Sequence, residues 1–217
     1  PLGVAVDAGG VIYIADEQFN LIRAVASHAT LETVAGDGGY GFNGEALPAL
    51  ESHLAVPAGL ATDRDGMLYF VDLGNHSVRR IGADGRVITV VDEKHPVLAG
   101  RPHRFSPASI DISRHGELFI ADRGNNMIWK LDPAGAVAPF AGTGERGFSG
   151  DGGAATAATL ADPRDVCVDF DGNLFIADFG NRRVRKVGPD GIISTEVGSG
   201  QELNWEHMIL AWHASIR

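Results

Sequence analysis

The sequence predicts an all-β protein, a β-propeller assembled from four-stranded blades, and three observations carry that prediction. One segment occurs four times, beginning at Pro1, Pro57, Pro107 and Pro163. Each copy holds four short apolar runs of strand length separated by turn signals, and nothing between the runs is long enough for a crossover helix. A single four-stranded meander cannot bury both of its faces, so the copies must stack radially.

The strands and turns follow from the alignment. From each proline the opening segments read PLGVAVDAGGVIYIAD, PAGLATDRDGMLYFVD, PASIDISRHGELFIAD and PRDVCVDFDGNLFIAD. The first turn holds Gly10, Gly66, Gly116 or Gly172, where a positive φ suits glycine, often beside an aspartate that bonds the local backbone. The second strand carries Tyr13, Tyr69, Phe119 or Phe175 and closes on Asp16, Asp72, Asp122 or Asp178. The second turn reads DLGN, DRGN and DFGN, whereas the first copy has DEQF, with Gln18 in the glycine's place, which predicts a different loop there. The third strand opens with Ile22-Arg23, Val78-Arg79, Ile128-Trp129 or Val184-Arg185, and the third turn, ADG, PAG or PDG, is a tight hairpin signal. In the outer strand Glu196 stands where the other copies place Val34, Val90 and Phe140, predicting that the fourth outer strand loses its pattern.

The repeated pattern P-x-G-V-x-V-D-x-x-G-x-[LI]-[YF]-[IF]-[AV]-D-x-G-N-x-x-[IV]-R-[KR]-[VI] resembles the NHL repeat over residues 1–200. The linkers TVAGDGGYGFNGEA and PFAGTGERGFSGDGGAATAA are similar to the glycine-rich connectors of bacterial members. That resemblance implies a propeller that usually closes with six blades, so four repeats are expected to be part of a six-bladed ring. It leaves function open among ligand-binding modules, protein-interaction scaffolds, RNA-binding domains and a few lyases. Bacterial proteins of this type are often exported, which leaves an exported or periplasmic setting open, and no signal peptide is read in this sequence. The tail at 201–217, QELNWEHMILAWHASIR, lacks the expected connector and reads either as a short amphipathic helix over the last blade or as non-native sequence. An open ring exposes strand edges and apolar blade faces, which invites self-association.

Composition narrows the partners. Of 217 residues 44% are apolar, and the formal charge of -10, with no Lys/Arg-rich run, disfavours a nucleic-acid backbone. No apolar run has the length of a membrane span. Cys167 is the sole cysteine, which excludes an intrachain disulfide and reads as a buried, inert thiol in an apolar strand.

In such a meander the loops after strands two and four emerge together, placing the D-x-G-N turns and the connectors on one face. The innermost strands open there with Gly3, Gly59, Ser109 and Asp165, so Ser109 and Asp165 are polar candidates at the channel mouth, or caps on local backbone. Asp16, Asp72, Asp122 and Asp178, with Arg23, Arg79 and Arg185, recur in nearly every copy, and repetition assigns them to building the blade rather than to catalysis. GDGGYG at 36–41 and GTGERG at 142–147 spell the dinucleotide fingerprint but lack its strand-turn-helix setting. They are crossings between blades, with Phe42 and Phe148 plugging the gaps. Asp151, and Glu45 at the equivalent place, are candidates for holding Ca²⁺. The eight histidines show no short metal-binding spacing. The second connector, DEKHPVLAGRPHRFS, breaks the repeat, which makes His95, Arg101 and His103 candidates for a specialised loop. Trp129 replaces the arginine of the third copy, either as a contact surface or as packing between blades. The reading is a non-catalytic scaffold that binds a ligand or protein through the connector face. The alternative is a metal-dependent enzyme of lyase or lactonase type with its site at the channel mouth.

Overall fold

The computed structural model describes residues 1–25 and 30–200 and contains four antiparallel blades. Blade 1 is β1 (Gly3–Val6), β2 (Ile12–Asp16), β3 (Leu21–Val25) and β4 (Leu31–Ala35), followed by a short β5 (Leu47–Pro48). Blade 2 is β6 (Pro57–Thr62), β7 (Leu68–Asp72), β8 (Ser77–Ile81) and β9 (Arg86–Asp92), with β5 added outside β9. Blade 3 is β10 (Pro107–Ile112), β11 (Leu118–Asp122), β12 (Met127–Leu131) and β13 (Val137–Ala141). Blade 4 is β14 (Pro163–Val168), β15 (Leu174–Asp178), β16 (Arg183–Val187) and β17 (Ile193–Val197). The inner strands stand side by side in the order β1, β6, β10, β14. Gly59 allows this approach, because a Cβ there would sit 2.8 Å from the Ser109 Cα of the next inner strand.

The core lies between blades. Leu60, Leu68, Phe70 and Val87 of blade 2 pack on Ala15, Ile22 and Ala35 of blade 1, and the same arrangement recurs between blades 2 and 3 and between blades 3 and 4. Burying one such aliphatic side chain is worth about 1.5–3 kcal/mol, so each blade is held mainly by its neighbours. Among the described residues no blade packs on the outer side of blade 1. Val4 is 61% exposed, Ile12 39% and Leu31 50%, whereas the residues at these places in blades 2 to 4, among them Leu68, Leu118 and Leu174, are at most 7% exposed.

Two sequence expectations are corrected. The fourth outer strand keeps its pattern: β17 pairs with β16 through the same register shift that blades 1 to 3 show, and the residue at that bulge is Glu196. A bulge residue need not be apolar, and Glu196 points at Lys186 Nζ, 3.6 Å away. The DEQF turn also closes like its counterparts, with a left-handed residue directly after it, Asn20, matching His76, Asn126 and Arg182. The tail at 201–217 and His28 lie outside the described residues.

Candidate functional site

The aspartate that ends each second strand is the hub of the connector face. Asp72 accepts from the Ala55 N–H (2.7 Å), Asn75 Nδ2 (2.8 Å) and Arg79 Nη1 (3.0 Å). Asp178 accepts from the Ala161 N–H, Asn181 Nδ2 and Arg185 Nη1 in the same way. Both carboxylates and both arginines are fully buried, and burial raises the pKa of Asp72 and of Asp178 despite these donors. The connector is fastened to the same unit, since Asn75 and Asn181 donate to the carbonyls of Gly41 and Gly147. This explains the turn glycine: a Cβ at Gly74 would lie 2.8 Å from the Ala55 Cβ, and one at Gly180 would lie 2.7 Å from the Ala161 carbonyl. Gln18, which no connector among the described residues covers, is exposed.

Arg79 lies beneath Phe42 (5.2 Å to the ring centre) and Arg185 beneath Phe148 (4.8 Å). Arg79 Nε and Nη2 and Arg185 Nε have no hydrogen-bond partner, so the ring faces supply a cation–π contact in its place. Blade 3 inverts the pair. Fully buried Trp129 donates its Nε1–H to Asp122 Oδ2 (3.0 Å), as the arginines do elsewhere, and Arg101 of the connector lies over the indole at 4.9 Å. Asp16 keeps its arginine, Arg23, at 3.1 Å, in a half-open setting. The repeated aspartates and arginines are therefore occupied in holding turns and connectors.

The channel between the inner strands holds a cavity of about 430 Å³. Ser109 and Asp165 line it, with Asp111, Cys167 and Arg164. Asp111 accepts from the N–H groups of Ile112 and of Val168 in the next blade, both at 2.8 Å. Asp165 accepts from the Val166 N–H and the Ser109 hydroxyl. Burial raises the pKa of both carboxyls, and the charge of Asp165 raises Asp111 further. Burial, then the charges of Asp111 and Asp165, push the Cys167 thiol up to about 12. The expectation of a buried thiol is thus corrected, since Cys167 is partly exposed to the channel and its thiol is kept protonated by its surroundings.

The remaining candidates lie elsewhere. His95, Arg101 and His103 do not line the channel. His95 caps a turn through its carbonyl, which accepts from Leu98 and Ala99, and the His103 N–H donates to Asn125 Oδ1. Asp151 Oδ1 is 2.7 Å from Arg185 Nη2, and Glu45 accepts from the Thr89 N–H and hydroxyl. Among the described residues no three His, Cys, Asp or Glu side chains are grouped to hold a metal ion. The channel donors therefore do not match a three-ligand metal site.

A family model described as Teneurin NHL domain matches residues 131–209. Teneurin-1 of Gallus gallus is 30% identical over 165 residues, 70% of this chain and 6% of that protein. Teneurin-3 of Mus musculus is 32% identical over 67% of this chain and 6% of its own length. The chain is an NHL-repeat β-propeller. It spans only a small part of the curated relatives it matches, and these are animal proteins, so the bacterial character expected from the connectors gains no support from them.

The same NHL propeller is similar in fold to a nidogen/laminin complex, with a TM-score of 0.65 and 18% identity over 91% of this chain and 64% of that one. It is also similar to virginiamycin B lyase from Staphylococcus aureus, with a TM-score of 0.61 and 17% identity over 90% and 54%. At such identity the likeness concerns the fold alone. The sequence reading missed Asp111 and the Arg101–Trp129 pair of this NHL propeller. Asp111 was readable as the i+2 neighbour of Ser109, on the same side of an inner strand.

Proposed function

We propose that this NHL propeller is a non-catalytic scaffold that binds a protein through the face formed by the D-x-G-N turns and the connectors. One observation carries the reading: Phe19, Tyr40, Phe42 and Phe148 stand on this face, each between 44% and 68% exposed. Exposed aromatics set among arginines are the composition of interface anchors. Arg183 lies 3.8 Å from the Phe148 ring centre and Arg23 5.8 Å from that of Phe19, so part of the surface is ordered before any partner arrives. The repeated polar residues are committed to the blades, which leaves binding to these side chains.

The test is a random peptide display library panned against the wild-type protein. Clones should lose binding to a Tyr40→Ser/Phe148→Ser variant and keep it with Phe170→Ser, which changes an exposed aromatic in a first turn, on the opposite face. Equal binding to all three proteins overturns the reading.

A second reading, self-association, rests on the open face of blade 1. For the 217-residue chain taken by itself a second copy is the occupant that fits, because Val4, Ile12 and Leu31 repeat the surface by which blades 2 to 4 each pack on a preceding blade.

A further inference from the structure

Charge is unevenly spread over this protein. The chain as a whole is strongly acidic, at -10. Yet over blades 3 and 4 the connector face gathers Arg104, Arg123, Arg146, Arg164, Arg182 and Arg183. The acids among them are fewer, and apart from exposed Glu145 beside Arg146 they are engaged. Glu93 pairs with Arg104 at 3.0 Å, and Asp151 serves buried Arg185. Asp162 is shared, lying 2.8 Å from Arg164 and 3.9 Å from Arg123, so one carboxylate faces two guanidinium groups. Arg164 also borders the channel cavity, stacked 3.6 Å from the centre of the Phe179 ring. The opposite face carries the aspartates of the first and third turns, among them Asp63, Asp65, Asp169, Asp171 and Asp190.

We infer that the arginine-rich sector over blades 3 and 4 recognises an acidic peptide segment, with carboxylates seated on Arg123, Arg164 and Arg146 beside the aromatic surface of Phe148. This rests on the reading that the connector face binds protein. Guanidinium groups take carboxylates in a two-point fork, and those held against Phe148 and Phe179 lose less freedom on binding. A short acidic stretch fits better than a nucleic acid. Screening confines the sector's field to about 8 Å at physiological salt, and a longer phosphate chain runs on to an acidic surface.

The experiment measures fluorescence anisotropy with three labelled probes: an octapeptide of Glu and Asp with one Tyr, its Lys counterpart, and an eight-residue oligothymidylate. Binding of the acidic peptide should weaken at least tenfold in Arg123→Glu/Arg164→Glu. It should stay within twofold in Arg64→Glu/Arg114→Glu, which changes the opposite face, and circular dichroism melting should verify that both variants are folded. Equal binding of the acidic and Lys peptides overturns the inference, as does equal weakening in both variants. Oligothymidylate binding as tight as that of the acidic peptide overturns it in favour of nucleic acid. Display clones that are uncharged yet depend on Tyr40 and Phe148 would leave the binding face standing while this inference fails.

Discussion

Arg101 lies over the ring of Trp129, 4.9 Å from its centre, and so reverses the partnership of Phe42 with Arg79 and of Phe148 with Arg185. In blades 2 and 4 the strand supplies the cation and the connector supplies the ring. In blade 3 the strand supplies the ring and the connector supplies the cation. The aspartate beneath receives an N–H in all three, from a guanidinium or from an indole. Two departures from the repeat, the loss of the connector phenylalanine and the loss of the strand arginine, are therefore one exchange.

The exchange predicts a coupled pair of substitutions. Trp129→Arg places a second guanidinium in a buried site already covered by Arg101, and should cost on the order of 3 kcal/mol or more in urea unfolding. Adding Arg101→Phe rebuilds the arrangement of blades 2 and 4 and should recover at least half of that loss. A double-mutant cycle with no coupling would show that the two positions are independent.

Asp151 and Glu45 occupy equivalent places but do different work. Asp151 reaches the buried guanidinium of Arg185, whereas Glu45 turns to Thr89 and leaves Arg79 with Asp72 as its acidic partner. Asp151→Ala removes a charge-assisted bond from a buried cation and should lower stability by about 2 kcal/mol. Glu45→Ala, at an exposed pair, should cost under about 1 kcal/mol. The unfolding midpoints of the two variants decide the matter, and equal losses would contradict it.

The channel carboxyls make stability depend on pH with a definite sign. Burial raises the pKa of Asp165 in the folded chain, so the folded state holds the proton at a pH where the unfolded chain, with a carboxyl near about 3.9, has released it. The stability contributed by that group is present in full below the unfolded pKa and is lost as pH rises through the folded one. Asp111 acts in the same direction. Asp165→Asn should therefore be more stable than the wild type at pH 7, with the advantage shrinking toward pH 4. Urea unfolding at four pH values tests this, and a difference independent of pH refutes it.

The blades, their strand order and the face that gathers turns and connectors were legible because repetition marks positions shared by every blade. Asp72, Arg79 and Gly74 announced themselves in this way. The reason for the glycine did not, because it lies in the connector carried across from the preceding blade. Repetition also misled at Glu196, where an unpaired bulge position was read as part of the alternating pattern. The channel was half legible. Ser109 and Asp165 were found as departures from glycine, while Asp111 and Cys167 two residues further on were not tied to them.

The open face of blade 1 supplies the last prediction. Ile12 and Val4 are exposed, while Leu68 and Leu60, their counterparts in blade 2, are packed against blade 1. If that face takes a second copy, light scattering of the wild-type protein should show a mass rising with concentration. Val4→Glu/Ile12→Glu should return it to the monomer. Because both positions are exposed in the single chain, the same substitutions should leave the unfolding midpoint of the dilute protein within about 0.5 kcal/mol. Leu68→Glu places the same charge at a buried counterpart, where no partner meets it, and should prevent folding. A wild-type mass that stays monomeric at every concentration would mean that blade 1 does not recruit a second copy.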